Sequence, residues 1–485
     1  SGAEVYATIF ALAPSPLDPK ILWSGSDDGL VSITRDGGET WNSVNPSTLP
    51  DWALISIIEA SPHDAGTAYM AATRYKLNDF APYLYKTNDY GQTWAKITSG
   101  IPTDDFTRVI RADPKQQGLL YAGTETGIYV SFDDGENWQR VNPNPAPTHA
   151  GSLPVVPIHD LVVNGDELVV CTHGRSFWVL DDLTLLRQLA AADVASKQAH
   201  LFTPKDTIRT KRLSGFGNTE VPGRNYMFVG GIVQTYVTKK DASGQSRKFF
   251  IDAGNNPEEG VVIYYWLKDA PTQEISLTFL DGSGNKIRTL KSAVEGSDTG
   301  SDKEPKIPAV AGLNRYVWDM RYPDATKLDA KGDQPSTAGP KAVPGTCEVR
   351  LAVGDQQFTE TFQIVQDPRS TASQDDLQAQ FDLSMQIRDK LSELNTGLNS
   401  LRAIRSQAEG WVERSKGSEQ VNEIEAAAAS LNAKLGAVEE QLIQVKANSP
   451  KDTLNVPVML NSKLGRVAGA VSSADTRPTQ QAYDA

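Results

Sequence analysis

Short runs of alternating apolar and polar residues, broken by Asp, Gly, Pro and Asn, fill the first part of the chain. One stretch shows the pattern whole. Thr107-Arg-Val-Ile-Arg111, Leu119-Leu-Tyr-Ala-Gly123, Gly127-Ile-Tyr-Val-Ser131 and Trp138-Gln-Arg-Val141 read as four successive strands, with turns at Asp113-Pro-Lys-Gln116 and Asp133-Asp-Gly135. From about Tyr226 to Asp367, runs such as Val261-Val-Ile-Tyr-Tyr-Trp-Leu267, Glu274-Ile-Ser-Leu-Thr-Phe-Leu280 and Arg315-Tyr-Val-Trp-Asp-Met320 predict further strands. After residue 373 the period becomes helical. Ile387, Leu391, Leu394, Leu398 and Leu401, then Val421, Ile424, Ala428, Leu431, Leu435, Val438, Leu442 and Val445, alternate steps of three and four. Such heptad spacing predicts an antiparallel hairpin, turning at Lys416-Gly-Ser418 and stopped at Pro450, with a third helix over 457–475.

The early strands repeat. Thr34-Arg-Asp36-Gly-Gly38-Glu-Thr40-Trp41, Thr87-Asn-Asp89-Tyr-Gly91-Gln-Thr93-Trp94 and Ser131-Phe-Asp133-Asp-Gly135-Glu-Asn137-Trp138 share one box, Ser/Thr-x-Asp-x-Gly-x-Thr/Asn-Trp. A second marker runs in phase with it: Pro16, Pro62 and Pro114 each stand seven residues before an aromatic, Trp23, Tyr69 and Tyr121. A box aspartate can accept hydrogen bonds from turn amides, glycine supplies a positive φ, and the tryptophan packs between neighbouring sheets. Four short strands recurring at a period of about 45 residues predict propeller blades. A fourth copy is degenerate. Thr172-His-Gly-Arg-Ser-Phe-Trp-Val-Leu-Asp-Asp182 aligns without a gap on Thr124 to Asp134, but the closing Gly-x-Thr-Trp is missing and a helical stretch, Leu183 to Ala192, follows.

The fold class expected is therefore mainly β: propeller blades over 1–192, a linker over 193–225, an immunoglobulin- or fibronectin-like β-sandwich over 226–368, and a helical hairpin or bundle over 372–485. Composition narrows function. With 47 Lys+Arg against 60 Asp+Glu the net charge is −13, which lacks the basic footprint of a nucleic-acid binder. Two cysteines, Cys171 and Cys347, exclude a disulfide framework and a Cys-rich zinc site, and the five histidines do not cluster, so no metal or cofactor is expected. No apolar run approaches the 18 or so residues of a membrane-spanning helix.

The box resembles the Asp-box, or BNR, repeat of sialidases, two-propeller glucanases and sortilin-type (VPS10) receptor domains. Together with Gly25-Ser-Asp-Asp-Gly29, Tyr85-Lys-Thr-Asn-Asp89, Tyr121-Ala-Gly-Thr-Glu-Thr-Gly127 and Thr172-His-Gly-Arg-Ser-Phe-Trp178, it is similar to a bacterial family of large secreted BNR-repeat proteins often labelled glycosyl hydrolases. The likeness covers about the whole chain. It implies an extracytoplasmic protein with a glycan or polypeptide ligand. It also implies further blades upstream, so that this chain is the C-terminal portion of a longer protein, or another subunit completes the propeller.

In a meander, turns alternate between ends, so the B–C loops lie opposite the boxes, together with the D–A connections. Propeller ligands bind over that end. Its candidates are Arg74, Tyr75, His173 and Arg175 for ligand binding, with Asp27 and His159 nearby, and Asp28, Asp105, Glu125 and Asp160 as possible acids. The inserted loop Arg74-Tyr-Lys-Leu-Asn-Asp-Phe-Ala-Pro82 mixes aromatic and charged residues, as sugar stacking or a peptide requires. Glycoside hydrolysis is the alternative; it needs two carboxylates about 5 Å or roughly 6.5–9.5 Å apart. A sialidase arginine cluster with a tyrosine nucleophile does not assemble here. Asp36, Asp89 and Asp133 are assigned to turns and Trp41, Trp94 and Trp138 to packing. The acidic loop with Glu295, Asp298, Asp302 and Glu304 lacks calcium-ligand spacing.

Overall fold

The computed structural model describes residues 7–141, 153–210, 216–217, 220–240, 246–251, 253–254, 256–293, 305–328, 335–445 and 455–485. The acidic loop and Pro450 lie outside them. The chain divides into two compact units: residues 1–202, 214–257 and 266–269, and residues 203–213, 258–265 and 270–485.

The first unit holds four blades. Blade 1 is β1 (Ile9–Pro14), β2 (Leu22–Ser26), β3 (Val31–Thr34) and β4 (Asn42–Ser43). Blade 2 is β5 (Leu54–Ala60), β6 (Ala68–Arg74), β7 (Asp79–Thr87) and β8 (Ala95–Lys96). Blade 3 is β9 (Thr107–Ala112), β10 (Leu120–Thr124), β11 (Ile128–Ser131) and β12 (Gln139–Arg140). Each is an antiparallel meander in sequence order. Blade 4 has three strands, β13 (Ile158–Asn164), β14 (Glu167–Thr172) and β15 (Phe177–Leu180), and then α1 (Thr184–Ala191). The innermost strands β1, β5, β9 and β13 pack in series.

The boxes tie blades together. Asp133 accepts the Asn137 amide and the Ser131 hydroxyl at 2.8 Å each, and Asp36 and Asp89 do the same with their own Thr neighbours. These bonds hold all three carboxyls below the ordinary aspartate range, although partial burial opposes them at Asp133. The box tryptophan reaches the preceding blade: Trp94 Nε1 donates to the Val44 carbonyl and Trp138 Nε1 to the Ile97 carbonyl, both at 2.8 Å. The box glycine presses on the same residues. A Cβ on Gly91 would lie 2.7 Å from Val44, and one on Gly135 2.6 Å from Ile97, while both glycines hold positive φ. Trp138 is buried, but Trp41 is 43% exposed and Gly38 has no neighbour within 4 Å of a would-be Cβ. The packing role assigned to Trp41 is thus not met among the described residues, because no described blade precedes it.

The stretch 216–250, expected to straddle the linker and the sandwich, forms a separate antiparallel sheet of four strands, Phe216–Gly217, Arg224–Val229, Ile232–Lys240 and Ser246–Phe250. The two-residue turn at Gly230 and Gly231, both at positive φ, closes it locally. The second unit holds a five-stranded sheet. Ser276–Asp281, Lys286–Lys291, Gly345–Val353 and Gln356–Gln366 form one sheet, and Thr207–Arg209, from the expected linker, joins its edge in parallel. Trp318 stacks on Phe279 at 4.3 Å and meets Phe362 edge-on.

α2 (Gln374–Ser415) starts at a capping box made by Ser373 and Asp376 and buries Leu377, Leu383, Ile387, Leu391, Leu398 and Leu401. α3 (Val421–Leu442) departs from the expected heptad. Leu431 and Val438 face solvent, 39% and 51% exposed, and Asn432 and Glu439 turn inward instead. An α-helix drifts against a 3.5-residue repeat, and Arg402 and Arg405, each 2.7 Å from Glu439, draw that carboxylate in. The third helix, α4, spans Leu460–Val471.

Candidate ligand site at the mouth of the blades

The innermost strand of every blade carries a β-bulge at the same point, near the end where the B–C loops lie. Pairing skips Phe10 in β1, Ser56 in β5, Arg108 in β9 and His159 in β13. A bulge inserts one unpaired residue and re-aims its side chain, and bulges are frequent beside binding sites. The four bulges place one unpaired residue of each innermost strand at the same end of the blades. The Ser56 hydroxyl lies 2.6 Å from the Arg108 carbonyl, linking two neighbours.

Arg108 is the hub. Its Nε and Nη2 both meet Glu125 Oε2, at 2.9 and 2.6 Å. Its guanidinium lies 5.2 Å from the Tyr75 ring and 4.8 Å from Phe106, and those rings stack at 5.0 Å. Tyr75 opens a 3-10 turn, Tyr75–Leu77, closed by Asn78 in the left-handed region. Phe80 flanks Phe106 at 6.1 Å and is 46% exposed. Trp52, on the D–A connection at the same end, is 55% exposed. On the far side the His159 and His173 rings stack at 4.7 Å. Partial burial, then the Arg108 cation and His173, hold the His159 ring below the ordinary histidine range, with Glu125 opposing.

The sequence candidates divide. Tyr75, Glu125 and His173 come together with Arg108 and His159. Arg74 is turned back onto Asp79 at 2.7 Å, and Arg175 contacts the Gly174 carbonyl within its own loop. Asp105 is buried, its oxygens engaged by Thr124, Thr126 and Tyr129, which removes it from any solvent-facing chemistry. Asp28 is bonded to the Ser26 hydroxyl. Asp160 is held by Arg111, which also meets Glu59 and the Leu161 carbonyl, a clamp across blades 2, 3 and 4. Burial raises the Glu59 carboxyl against the pull of Arg111. Of the four acids, Asp105 is buried, whereas the Glu125 and Asp160 side chains are 37% and 48% exposed and each is paired with an arginine. Arg108 and Trp52 were not predicted. Arg108 reads as an ordinary strand residue, and no sequence signal marks a bulge.

No family model matches the chain. A xyloglucanase of Paenibacillus sp is 26% identical over 153 residues, which are 27% of this chain and 15% of that protein. An oligoxyloglucan-reducing end-specific xyloglucanase of Emericella nidulans is 30% identical over 144 residues, 26% of this chain and 17% of that protein. The match thus spans under a fifth of the curated relatives. The GH74 xyloglucanase structure from Xanthomonas campestris overlays at a TM-score of 0.30 and 17% identity, covering 60% of this chain and 44% of that one. An overlay that loose carries no weight for function.

Proposed function

We propose that the chain is part of an extracytoplasmic BNR-repeat propeller protein that binds an extended glycan across the mouth of its blades. The observation that carries this is the Tyr75–Phe106–Arg108 stack beside Glu125. The half-buried Tyr75 ring and the exposed Phe80 ring, seated against buried Phe106, offer faces for sugar C–H groups, and a paired guanidinium and carboxylate offer charge-assisted bonds to hydroxyls. The partial likeness to xyloglucanases makes xyloglucan the first ligand to try. Binding is favoured over hydrolysis because each of the four acids is already engaged: Asp28 by the Ser26 hydroxyl, Asp105 by Thr124, Thr126 and Tyr129, Glu125 by Arg108, and Asp160 by Arg111. Further blades, upstream in the same protein or from another subunit, complete the mouth.

The test is affinity electrophoresis in gels cast with xyloglucan, mixed-linkage glucan or no polysaccharide. Retardation in xyloglucan is expected for the wild type. Tyr75→Ala should weaken it about tenfold, the equivalent of about 1.4 kcal/mol. Equal mobility in all gels sinks the reading.

A further inference from the structure

The blade contacts repeat by position. Val44, Ile97 and Val141 each donate a backbone N–H to a residue of the adjoining strand, Val31, Leu84 and Ile128, at 2.9, 2.9 and 3.0 Å. The first two pairs each carry the indole of the next blade, Trp94 over Val44 and Trp138 over Ile97. The third pair does not, because the fourth box ends before its tryptophan. What lies there is a cavity of about 240 Å³ lined by Ile128, Val141, Leu153, Leu168, Val170 and Trp178, among others. Leu168 and Val170 match Leu120 and Ala122, which pack with Trp138 in the filled case. An apolar cavity of roughly 150 Å³ already accepts benzene, so a larger one has room for an aromatic side chain.

A second observation is independent. β3, β7 and β11 each pair with a fourth strand, but among the described residues nothing pairs with the outer edge of β15. Phe177 and Val179 on that strand are 70% and 48% exposed. An open edge beside an apolar socket is the arrangement that takes an added strand, the main chain giving affinity and the pocket specificity.

We propose that blade 4 is a docking site for an extended segment of a partner polypeptide, which pairs with β15 and seats a tryptophan in the cavity. The occupant is defined by the chain itself: in blades 2 and 3 the segment in this place is a box followed by a fourth strand. The inference rests on the blade geometry and is independent of any glycan at the mouth.

The probe is a fluorescein-labelled peptide with the sequence of Ser131 to Val141, titrated into the protein and followed by anisotropy. Saturable one-to-one binding is expected, and Trp→Ala at the position of Trp138 in the peptide should weaken it at least tenfold. In the protein, Val170→Ala should tighten binding about threefold by copying Ala122, and Val170→Phe should abolish it by filling the cavity. Absence of binding to the wild type, or equal binding of the two peptides, overturns the proposal. The peptide comparison needs no protein variant, so it decides even where Val170→Phe fails to fold.

Discussion

Blade 3 is joined to its two neighbours by different physics. Toward blade 2 the joint centres on an apolar plug, with the Lys86–Asp134 and Arg111–Glu59 ion pairs beside it. Trp138 fills its socket, 3% exposed, and the only polar demand it makes, the indole N–H, is met by Ile97. Toward blade 4 the socket is unfilled by any described side chain, and an ionic clamp stands nearby. Arg187 of α1 reaches Asp113, in the A–B turn of blade 3, at 3.0 Å, and also Asp166 and the Gly165 carbonyl of blade 4. Asp113 is fully buried, and Tyr121 and two backbone amides also bond it. A helix has replaced a box, and charge has replaced an indole. A plug of buried area is indifferent to salt and acid, whereas a clamp of carboxylates is sensitive to both.

Removing the plug should have the largest effect. Trp138→Ala is expected to cost about 3–5 kcal/mol, measured as lost amide protection in β10 and β11 by native-state hydrogen exchange. A cost below about 1 kcal/mol would mean the socket collapses freely, and the contrast between the two joints would disappear.

The clamp comes next. Arg187→Leu leaves Asp113 buried without its cation, a change that costs about 3–5 kcal/mol in general. The lower end, about 3 kcal/mol, is expected because Tyr121 and the turn amides remain. The loss should be confined to blades 3 and 4. Acid should mimic it. Lys115 and Arg187 hold the Asp166 carboxyl below the ordinary range. A depressed carboxyl contributes stability that is present above its unfolded value, about 3.9, and lost as pH falls through the folded value. Exchange in β13 and β14 should therefore rise below about pH 4 in the wild type, and Asp166→Asn should flatten that rise. An unchanged acid response in the variant would remove Asp166 from the clamp.

The plug was legible in the sequence and the clamp was not. Box and Pro-to-aromatic spacing mark the blades because the same turn chemistry needs the same residues each time. The missing Gly-x-Thr-Trp of the fourth copy marks it as a degenerate blade, and the open socket follows only from the structure. The bulges left no trace, since Phe10, Ser56, Arg108 and His159 are four different residue types doing one geometric thing. Arg187 lies in a stretch that reads only as helical, and nothing in the sequence points to the Asp113 turn, 74 positions away, that it meets in the fold. The same blindness misplaced the α3 stripe: leucine and valine at 431 and 438 keep a heptad on paper, while Arg402 and Arg405 select Glu439 in space.

The smallest effect is the sharpest control on the plug. Trp41 has the same box as Trp138, with the same turn bonds around Asp36, yet no described blade lies before it and it is 43% exposed. If the contribution of a box tryptophan comes from its socket rather than its turn, Trp41→Ala in this chain should move exchange in β2 and β3 by no more than about 0.5 kcal/mol, as surface changes do. A cost near that of Trp138→Ala would instead place the energy in the turn itself. The same variant, made in a chain with a blade packed ahead of blade 1, should then rise toward the cost of Trp138→Ala, because the indole would have a carbonyl and an apolar wall to meet.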